Sequence, residues 1–254
     1  MKVRPASWIR PQTPPGVTAL VTSRRYPTGQ SHGAFGDFNL ADHVGDGAGA
    51  VAANRMALDE HVPESTIQWL RQVHGKRCVN IITATEPAPE ADAAITECGG
   101  VGLAILSADC VPVLLWDVQA QEVAACHAGW QGLVAGVIAE TVSKMVTPND
   151  RIQAFVGPAI GVDCYQVGAE VWQNFDRPLF DACLSSDDDP NGDNTRLLDL
   201  ALVARRQLES VGVEAIQMSG CCTYRHPDFF SHRAHTHAGL KAHCGRFASL
   251  VWLG

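Results

Sequence analysis

The stretch that decides the fold reads VGLAILSADCVPVLLWDVQAQEVAACHAGW and spans residues 101–130. Short, continuous apolar runs rich in β-branched residues are typical of strands that are buried on both faces. Asp109 and Pro112 interrupt the longest apolar region, which is therefore too short to cross a bilayer. The stretch predicts three buried strands, at 101–107, 111–116 and 122–127.

Outside this stretch, strands and helices are predicted in a mixed order, with no clean βαβ repeat and no linker long enough to separate two domains. We therefore expect one domain, 1–254, of the α/β (α+β) class: a single compact layered sandwich of mixed β-sheets covered by outer helices. Residues 184–195 predict an acidic, mobile loop. Further strands are predicted at 17–22, 66–73, 77–82, 152–156, 213–218 and 246–253, and helices from Gly49 through Leu58 and at 133–146, 169–175 and 197–210.

Composition narrows the class of protein. The chain has 254 residues, of which 46% are hydrophobic and 18% charged, as in an ordinary globular protein. Its net charge of −8 argues against a nucleic-acid polymer as partner. Nine cysteines, an odd number in a long chain, argue against a disulfide scaffold. The N-terminus lacks the apolar stretch of a signal peptide, so we expect a cytoplasmic protein without membrane contact, in which most thiols are reduced and buried.

Three motif-like stretches are weak. Residues 29–33 fit G-x-S-x-G, the pattern of a nucleophile elbow. Such an elbow requires a strand directly before it, whereas a loop precedes these residues. Residues 45–50 contain a loose G-x-G-x-x-A without a preceding strand, so they predict either a plain flexible turn or a turn whose N–H groups hold phosphate. The histidine-rich tail, 226–243, predicts a polar surface loop rather than a metal site.

Three other segments each place a short polar or reactive residue at the end of an apolar strand. They contain His74, Cys110 and His127, each beside glycine or a short side chain that leaves room for a ligand. Two imidazoles and a thiolate suit Zn²⁺, and a catalytic zinc keeps its fourth position for water or substrate. The alternative is that the three are unrelated core or turn residues.

The segments around these residues resemble the YfiH-type family, also called the laccase-domain or polyphenol oxidoreductase family and, in newer usage, purine nucleoside phosphorylase. The similarity runs from about Thr22 to Leu253. It implies a compact α/β sandwich with zinc on His74, Cys110 and His127. The family is described as cleaving purine nucleosides with phosphate and deaminating adenosine, and is also linked to copper-dependent phenol oxidation and peptidoglycan-precursor editing. The matching motifs are QVHG (72–75), ADCVPV (108–113), HAGW (127–130) and VGPAIG (156–161).

Two departures from the family pattern remove positive charge. Gln131 stands where the family commonly has Arg, and His232-Arg233-Ala234 stands where it has Tyr-Arg-Arg. Both departures put the handling of phosphate in doubt. The remaining candidate cations are Arg55 and Arg233, followed by Arg24 and Arg246.

The expected enzyme is a zinc-dependent purine nucleoside phosphorylase acting on adenosine, inosine and methylthioadenosine, with adenosine deaminase activity, as a monomer or weak homodimer. Copper is the alternative metal, since Cu²⁺ outranks Zn²⁺ in intrinsic affinity. Arg55 and Arg233 are expected to bind phosphate, and Asn39 the ribose or base. Asp109 is expected to accept a proton or to orient a histidine ligand, which completes a catalytic set of His74, Cys110, His127 and Asp109.

Other classes stay open at this point. Cys110 and a histidine would also suit a thiol hydrolase or amidase that edits a peptidoglycan precursor. A copper-dependent polyphenol oxidase is a further alternative, although a single H-x-H, at 235–237, argues against a four-copper enzyme. A non-enzymatic metal-binding protein would need a fourth protein ligand that closes the site.

Overall fold

The computed structural model describes residues 8–62, 65–175, 177–185, 194–240 and 243–254. Within these ranges the helices are α1 (Ala48–Asp59), α2 (Trp130–Ala135), α3 (Val137–Lys144), α4 (Ala169–Trp172), α5 (Leu200–Ser210) and α6 (His232–His237). The strands are β1 (Val17–Val21), β2 (Thr66–Gln68), β3 (Cys78–Asn80), β4 (Ala93–Thr96), β5 (Val101–Ser107), β6 (Val111–Asp117), β7 (Val123–Ala128), β8 (Ile152–Val156), β9 (Gln166–Gly168), β10 (Thr195–Leu197), β11 (Ala215–Met218) and β12 (Phe247–Leu253).

The strands form three sheets. A six-stranded sheet has the order β11-β8-β6-β7-β4-β3, a four-stranded sheet the order β1-β12-β5-β2, and β9 pairs with β10. Both large sheets are mixed: β6 is antiparallel to β7, whereas β11 is parallel to β8 and β2 is parallel to β5. The predicted class of mixed sheets covered by helices is confirmed.

Packing in layers explains the continuous apolar runs. Along β6, Val113 and Leu115 pack with residues of α2, α3 and α5, whereas Leu114 and Trp116 pack against the four-stranded sheet. The other face of that sheet packs against α1 and the loop before it, where Leu58 is fully buried. Because every face of the central strands is covered, their sequences show no polar alternation.

The chain passes from one large sheet to the other inside the deciding stretch. β5 belongs to the four-stranded sheet, whereas β6 and β7 belong to the six-stranded sheet. The three residues 108–110 make this crossing, and Asp109 adopts a φ of 93° within it. The crossing turn therefore places Cys110 and its neighbours where β5 of one sheet ends and β6 of the other begins.

Several predicted boundaries are wrong. The strands predicted at 66–73 and 77–82 shorten to β2 and β3, and the helix predicted at 197–210 begins only at Leu200, where the Asp199 carboxylate accepts the N–H of Leu202 at 2.9 Å. The tail predicted as a loop contains α6, which Ser231 caps. The predicted acidic loop at 184–195 lies largely outside the described residues. In the described part of the chain, no helix is long and apolar enough to span a bilayer.

The helix predicted at 133–146 is divided into α2 and α3 at Gly136, whose φ is 84°. A Gly136→Ala variant should lower the free energy of unfolding by about 1–2 kcal/mol, because a Cβ disfavours the left-handed region. An added Cβ would meet nothing within 4 Å, so the loss measures backbone strain alone. Gly49→Ala, at an exposed position of α1, is the control and should stabilise by about 0.5–1 kcal/mol. Urea titrations showing equal effects for the two variants would contradict this account.

Candidate metal centre

The three predicted ligands converge. His74 lies in the loop between β2 and β3, Cys110 in the crossing turn after β5, and His127 near the end of β7. One donor atom from each lies within 4.8 Å of the others, and Cys110 Sγ is 3.9 Å from His74 Nε2. His127 is buried, Cys110 half-buried and His74 exposed, so the centre is open to solvent on the His74 side.

A buried carboxylate that the sequence analysis missed holds two of these ligands. Asp92, directly before β4, accepts the main-chain N–H groups of His74 at 2.9 Å and Gly75 at 2.7 Å. A longer bond, of 3.2 Å, comes from the N–H of Val73. The same carboxylate lies 2.8 Å from His127 Nδ1. A carboxylate that accepts Nδ1–H leaves Nε2 free for a metal and fixes the ring orientation.

Two residues at this centre have a backbone conformation that is uncommon for residues other than glycine. His74 has a φ of 61° and Asp109 a φ of 93°. Such residues cost about 1–3 kcal/mol each and persist where the surroundings determine them. Here the hydrogen bonds that Asp92 accepts hold the His74 loop in this conformation. Gln72 attaches the loop to β5, because its side-chain amide donates to Leu106 O and its side-chain oxygen accepts the N–H of Leu106.

The electrostatics of the centre favour a thiolate. Burial by itself would raise the pKa of Cys110, but the adjacent His127 and His74 lower it to about 6. Burial would likewise lower the pKa of His127, but Cys110 and Asp92 raise it to about 9. At Cys78, by comparison, burial is the larger effect and raises the pKa of the thiol to about 11. Cys110 therefore presents the anionic form that binds metals at neutral pH.

The donor set fits a zinc or copper ion. Donor atoms of a tetrahedral zinc lie about 3.3–3.6 Å apart when the metal–ligand bonds are about 2.0–2.3 Å long. The 3.9 Å between Cys110 Sγ and His74 Nε2 needs only a small closure to reach that range. In the ranges that the structure describes, no fourth His, Cys, Asp or Glu joins the cluster. Three protein ligands are the number found in catalytic rather than structural zinc sites.

Gly129 has no side chain because the ligands occupy that space. A Cβ at this position would lie 3.0 Å from His74 Cδ2 and 3.1 Å from Cys110 Sγ. Gly129→Ala should therefore displace both ligands and weaken metal binding by about 10-fold or more, as lost ligand orientation does elsewhere. Competition with a chromophoric chelator measures the affinity. Gly49→Ala, far from this contact, should bind as the parent does; an unchanged affinity for Gly129→Ala would show that the ligands tolerate the methyl group.

Asp109 does not contact either histidine ligand. Its Oδ1 accepts the hydroxyl of Thr223 at 2.6 Å, and its Oδ2 accepts the main-chain N–H of Arg233 at 2.7 Å. The carboxylate that orients His127 is Asp92, and the expected role of Asp109 at a histidine ligand stays a prediction. Asp109 instead joins the crossing turn to the start of α6. Its part in proton transfer stays a prediction.

Arg233 is the predicted substrate residue whose main chain is hydrogen-bonded to Asp109, the residue before Cys110. Its Nη1 donates to the carbonyl of Gln166 at 2.9 Å, and its guanidinium lies 5.1 Å from the ring centre of Tyr165. Burial and then the negative charge of Cys110 raise the pKa of the Tyr165 phenol to about 12. Tyr165 was missed because a tyrosine between two short elements carries no sequence signal of its own.

Asn39 and Arg55 belong to a different part of the structure. Asn39 is fully buried, and its amide donates to Ala41 O and to Asp46 Oδ2. Arg55 donates from Nε to Leu40 O and stacks on Trp69 at 4.2 Å. These contacts hold the long loop before α1 against the four-stranded sheet. The proposed contact of either residue with substrate stays a prediction.

Fold and centre together define an α/β sandwich protein with an open histidine–cysteine–histidine cluster that could hold a metal ion where the chain crosses between sheets. The family model described as multi-copper polyphenol oxidoreductase laccase matches residues 18–254, and the chain belongs to that family.

Relatives and solved structures agree with this assignment. A protein named purine nucleoside phosphorylase from Pseudomonas aeruginosa is 38% identical, covering 97% of this chain and 98% of the relative. Purine nucleoside phosphorylase YfiH of Escherichia coli is also 38% identical, covering 94% and 95%. A crystal structure of a Neisseria meningitidis protein superposes with a TM-score of 0.88 at 35% identity, covering 97% of this chain and 98% of that one. YlmD of Geobacillus stearothermophilus gives 0.83 at 28% identity, covering 99% and 98%. These similarities support the conclusion that the chain is an enzyme.

Proposed function

We propose that this chain is a zinc-dependent purine nucleoside phosphorylase that cleaves adenosine, inosine and methylthioadenosine and also deaminates adenosine. The observation that carries the proposal is the open triad of His74, Cys110 and His127, and the main chain of Arg233 is tied to Asp109, the neighbour of Cys110 in sequence. The names of the relatives support the same reaction. We further propose that it acts as a cytoplasmic monomer or weak homodimer on a free nucleoside and inorganic phosphate.

Phosphorolysis requires that a phosphate oxygen attack the ribose C1′ while the bond to the purine nitrogen breaks. Zinc at the triad would supply a Lewis acid for the substrate. Arg233 provides a fixed positive charge for phosphate, because Gln166 and Tyr165 hold its guanidinium in place. Asp109, next in sequence to Cys110, is our proposed proton acceptor. The Tyr165 phenol stays protonated at neutral pH and can donate a hydrogen bond to the departing base.

The assignment of Asn39 and Arg55 to the substrate is part of this proposal and has its own test. In Arg55→Ala, a raised KM for phosphate with unchanged thermal stability would support a binding role. A lower melting temperature with an unchanged KM would assign Arg55 to the loop network that its contacts with Leu40 and Trp69 describe.

A chromatographic screen of the zinc-loaded protein tests the proposed reaction. Adenosine, inosine and methylthioadenosine are each incubated with and without phosphate, and free base and ammonia are measured. We expect base release that depends on phosphate, together with ammonia from adenosine. Absence of both products with every nucleoside would contradict the proposal.

A thiol hydrolase or amidase acting on a peptidoglycan precursor is the second candidate. One observation favours it: the imidazoles of His127 and His74 lower the pKa of Cys110 to about 6. Iodoacetamide distinguishes the two reactions. If Cys110 is a metal ligand, zinc should protect it from alkylation, whereas a catalytic thiol would be alkylated and inactivated with or without zinc.

The family description favours a third candidate, a copper-dependent polyphenol oxidase. Its test is oxygen uptake by the copper-loaded protein in the presence of phenols.

A further inference from the structure

A polar cavity of about 560 Å³ lies between the start of β9 and the residues around α6. Arg233 lines it, and the main-chain N–H of the same residue donates to Asp109, which adjoins Cys110. Arg225 and His237 line the cavity as well. The cavity is thus connected to the proposed reaction centre through a single residue, Arg233.

The charge of this cavity is opposite to that of the chain as a whole. The chain carries a net charge of −8, yet two guanidinium groups, those of Arg225 and Arg233, face this space together with the imidazole of His237. The lining also contains a carboxylate, that of Asp163. Two arginines that face one space are suited to a phosphate group, because each guanidinium offers several N–H donors in a rigid fork.

Arg225 is available for such a ligand. Its side chain is 61% exposed, hydrogen-bonds to the half-buried Cys164, and forms an ion pair from Nη2 to Asp163 Oδ2 at 3.3 Å, the Asp163 side chain being 66% exposed. Exposed ion pairs of this kind contribute little to stability, so phosphate can replace Asp163 as the partner at small cost. Arg233 by contrast is held by Gln166 and Tyr165 and changes position less easily.

We propose that Arg225 is a second phosphate-binding residue, which holds a phosphate dianion in this cavity together with Arg233. The assignment rests on the proposed function, and it adds a second cation to the one that Arg233 provides. The phosphate has two sources: inorganic phosphate, or the phosphate ester of a nucleotide. The same two arginines would recognise either one.

Calorimetric titration of the zinc-loaded protein with inorganic phosphate, at constant ionic strength, tests the assignment without any turnover. Arg225→Gln should weaken binding about 10-fold or more, as expected for one lost charge-assisted hydrogen bond. Arg225→Lys should restore part of the affinity. Arg205→Gln is the matched control, because Arg205 is also an exposed arginine paired with one carboxylate, Glu209, and does not line this cavity.

A parallel titration with a nucleoside 5′-monophosphate separates the two sources. Dependence on Arg225 with inorganic phosphate assigns the cavity to the second substrate of phosphorolysis, and the KM for phosphate should then rise about 10-fold at unchanged kcat. Dependence with the monophosphate alone assigns it to a nucleotide. Equal affinities of the parent and Arg225→Gln for both ligands would overturn the assignment. A protein that binds phosphate through Arg225 yet releases no base from nucleosides would contradict the proposed function alone.

Discussion

Cys110→Ala should yield a folded protein that retains no zinc after dialysis and has lost nucleoside phosphorolysis. The thiolate is one of three donors, and the remaining pair, His74 and His127, offers too few ligands for a stable zinc site. Loss of an outer partner of a ligand already costs about 10–100-fold in affinity or activity, so loss of the ligand itself should cost at least about 100-fold. Elemental analysis and inosine phosphorolysis measure the two effects.

The side chain of Cys110 is half-buried at the open centre, so its removal should leave the core intact. Zinc should raise the melting temperature of the parent and not that of the variant, because only the parent binds the ion in its folded state. His74→Ala should behave in the same way. Cys98→Ala, at another half-buried thiol, serves as the control and should keep both metal and activity. Full phosphorolysis by zinc-free Cys110→Ala would remove the metal from the mechanism.

Asp92→Asn should damage both the metal centre and the stability of the fold. The carboxylate is fully buried and accepts main-chain N–H groups of the strained His74 loop while it orients His127. An amide of the same shape places N–H₂ where one oxygen accepted these bonds, so buried donors would face each other. Breaking a buried, charge-paired network typically costs about 3–5 kcal/mol. Zinc affinity should fall about 10–100-fold, since the ligand orientation is lost.

The Asp117→Asn variant separates the loss of zinc affinity from the loss of stability. Asp117 is another fully buried carboxylate of the six-stranded sheet, and it pairs with Arg151 rather than with a metal ligand. This control should lose stability comparably and keep the zinc affinity of the parent. Chemical unfolding of the zinc-free proteins and chelator competition under native conditions measure the two quantities. An Asp92→Asn variant with parental zinc affinity would show that Asp92 supports the fold alone.

Much of the fold follows from local pattern. The runs that predicted β5, β6 and β7 are continuous because both faces of each strand are covered, and β8 was predicted with its exact bounds, Ile152–Val156. β4, with the sequence AAIT, was missed because four small or branched residues carry little periodicity. Gly136 was included in one helix because sequence alone does not show which glycine adopts a positive φ.

The residues of the candidate site likewise fall into those that the sequence predicts and those that it does not. Each of the three metal ligands stands beside glycine or a short side chain, a local signal that the sequence displays, although His74 lies in a loop well after β2 rather than at the end of the strand that was predicted there. Asp92 and Tyr165 carry no such signal, because their roles arise from contacts with residues far away in the chain. Asn39 was expected to bind the ribose or base, yet its hydrogen bonds lie within a buried loop network.

By itself, the sequence determined the mixed class of the fold, its central buried strands and the residue types of a His–Cys–His centre, because hydrophobic pattern and donor chemistry are local properties. The tertiary structure alone decided that a buried carboxylate, Asp92, holds that centre together, and that Asp109 anchors the main chain of Arg233. It also decided that two arginines share one cavity. The reason is physical: hydrogen-bond partners and shared cavities are chosen by distances in space, which sheet pairing and chain crossing set and which spacing along the chain does not record.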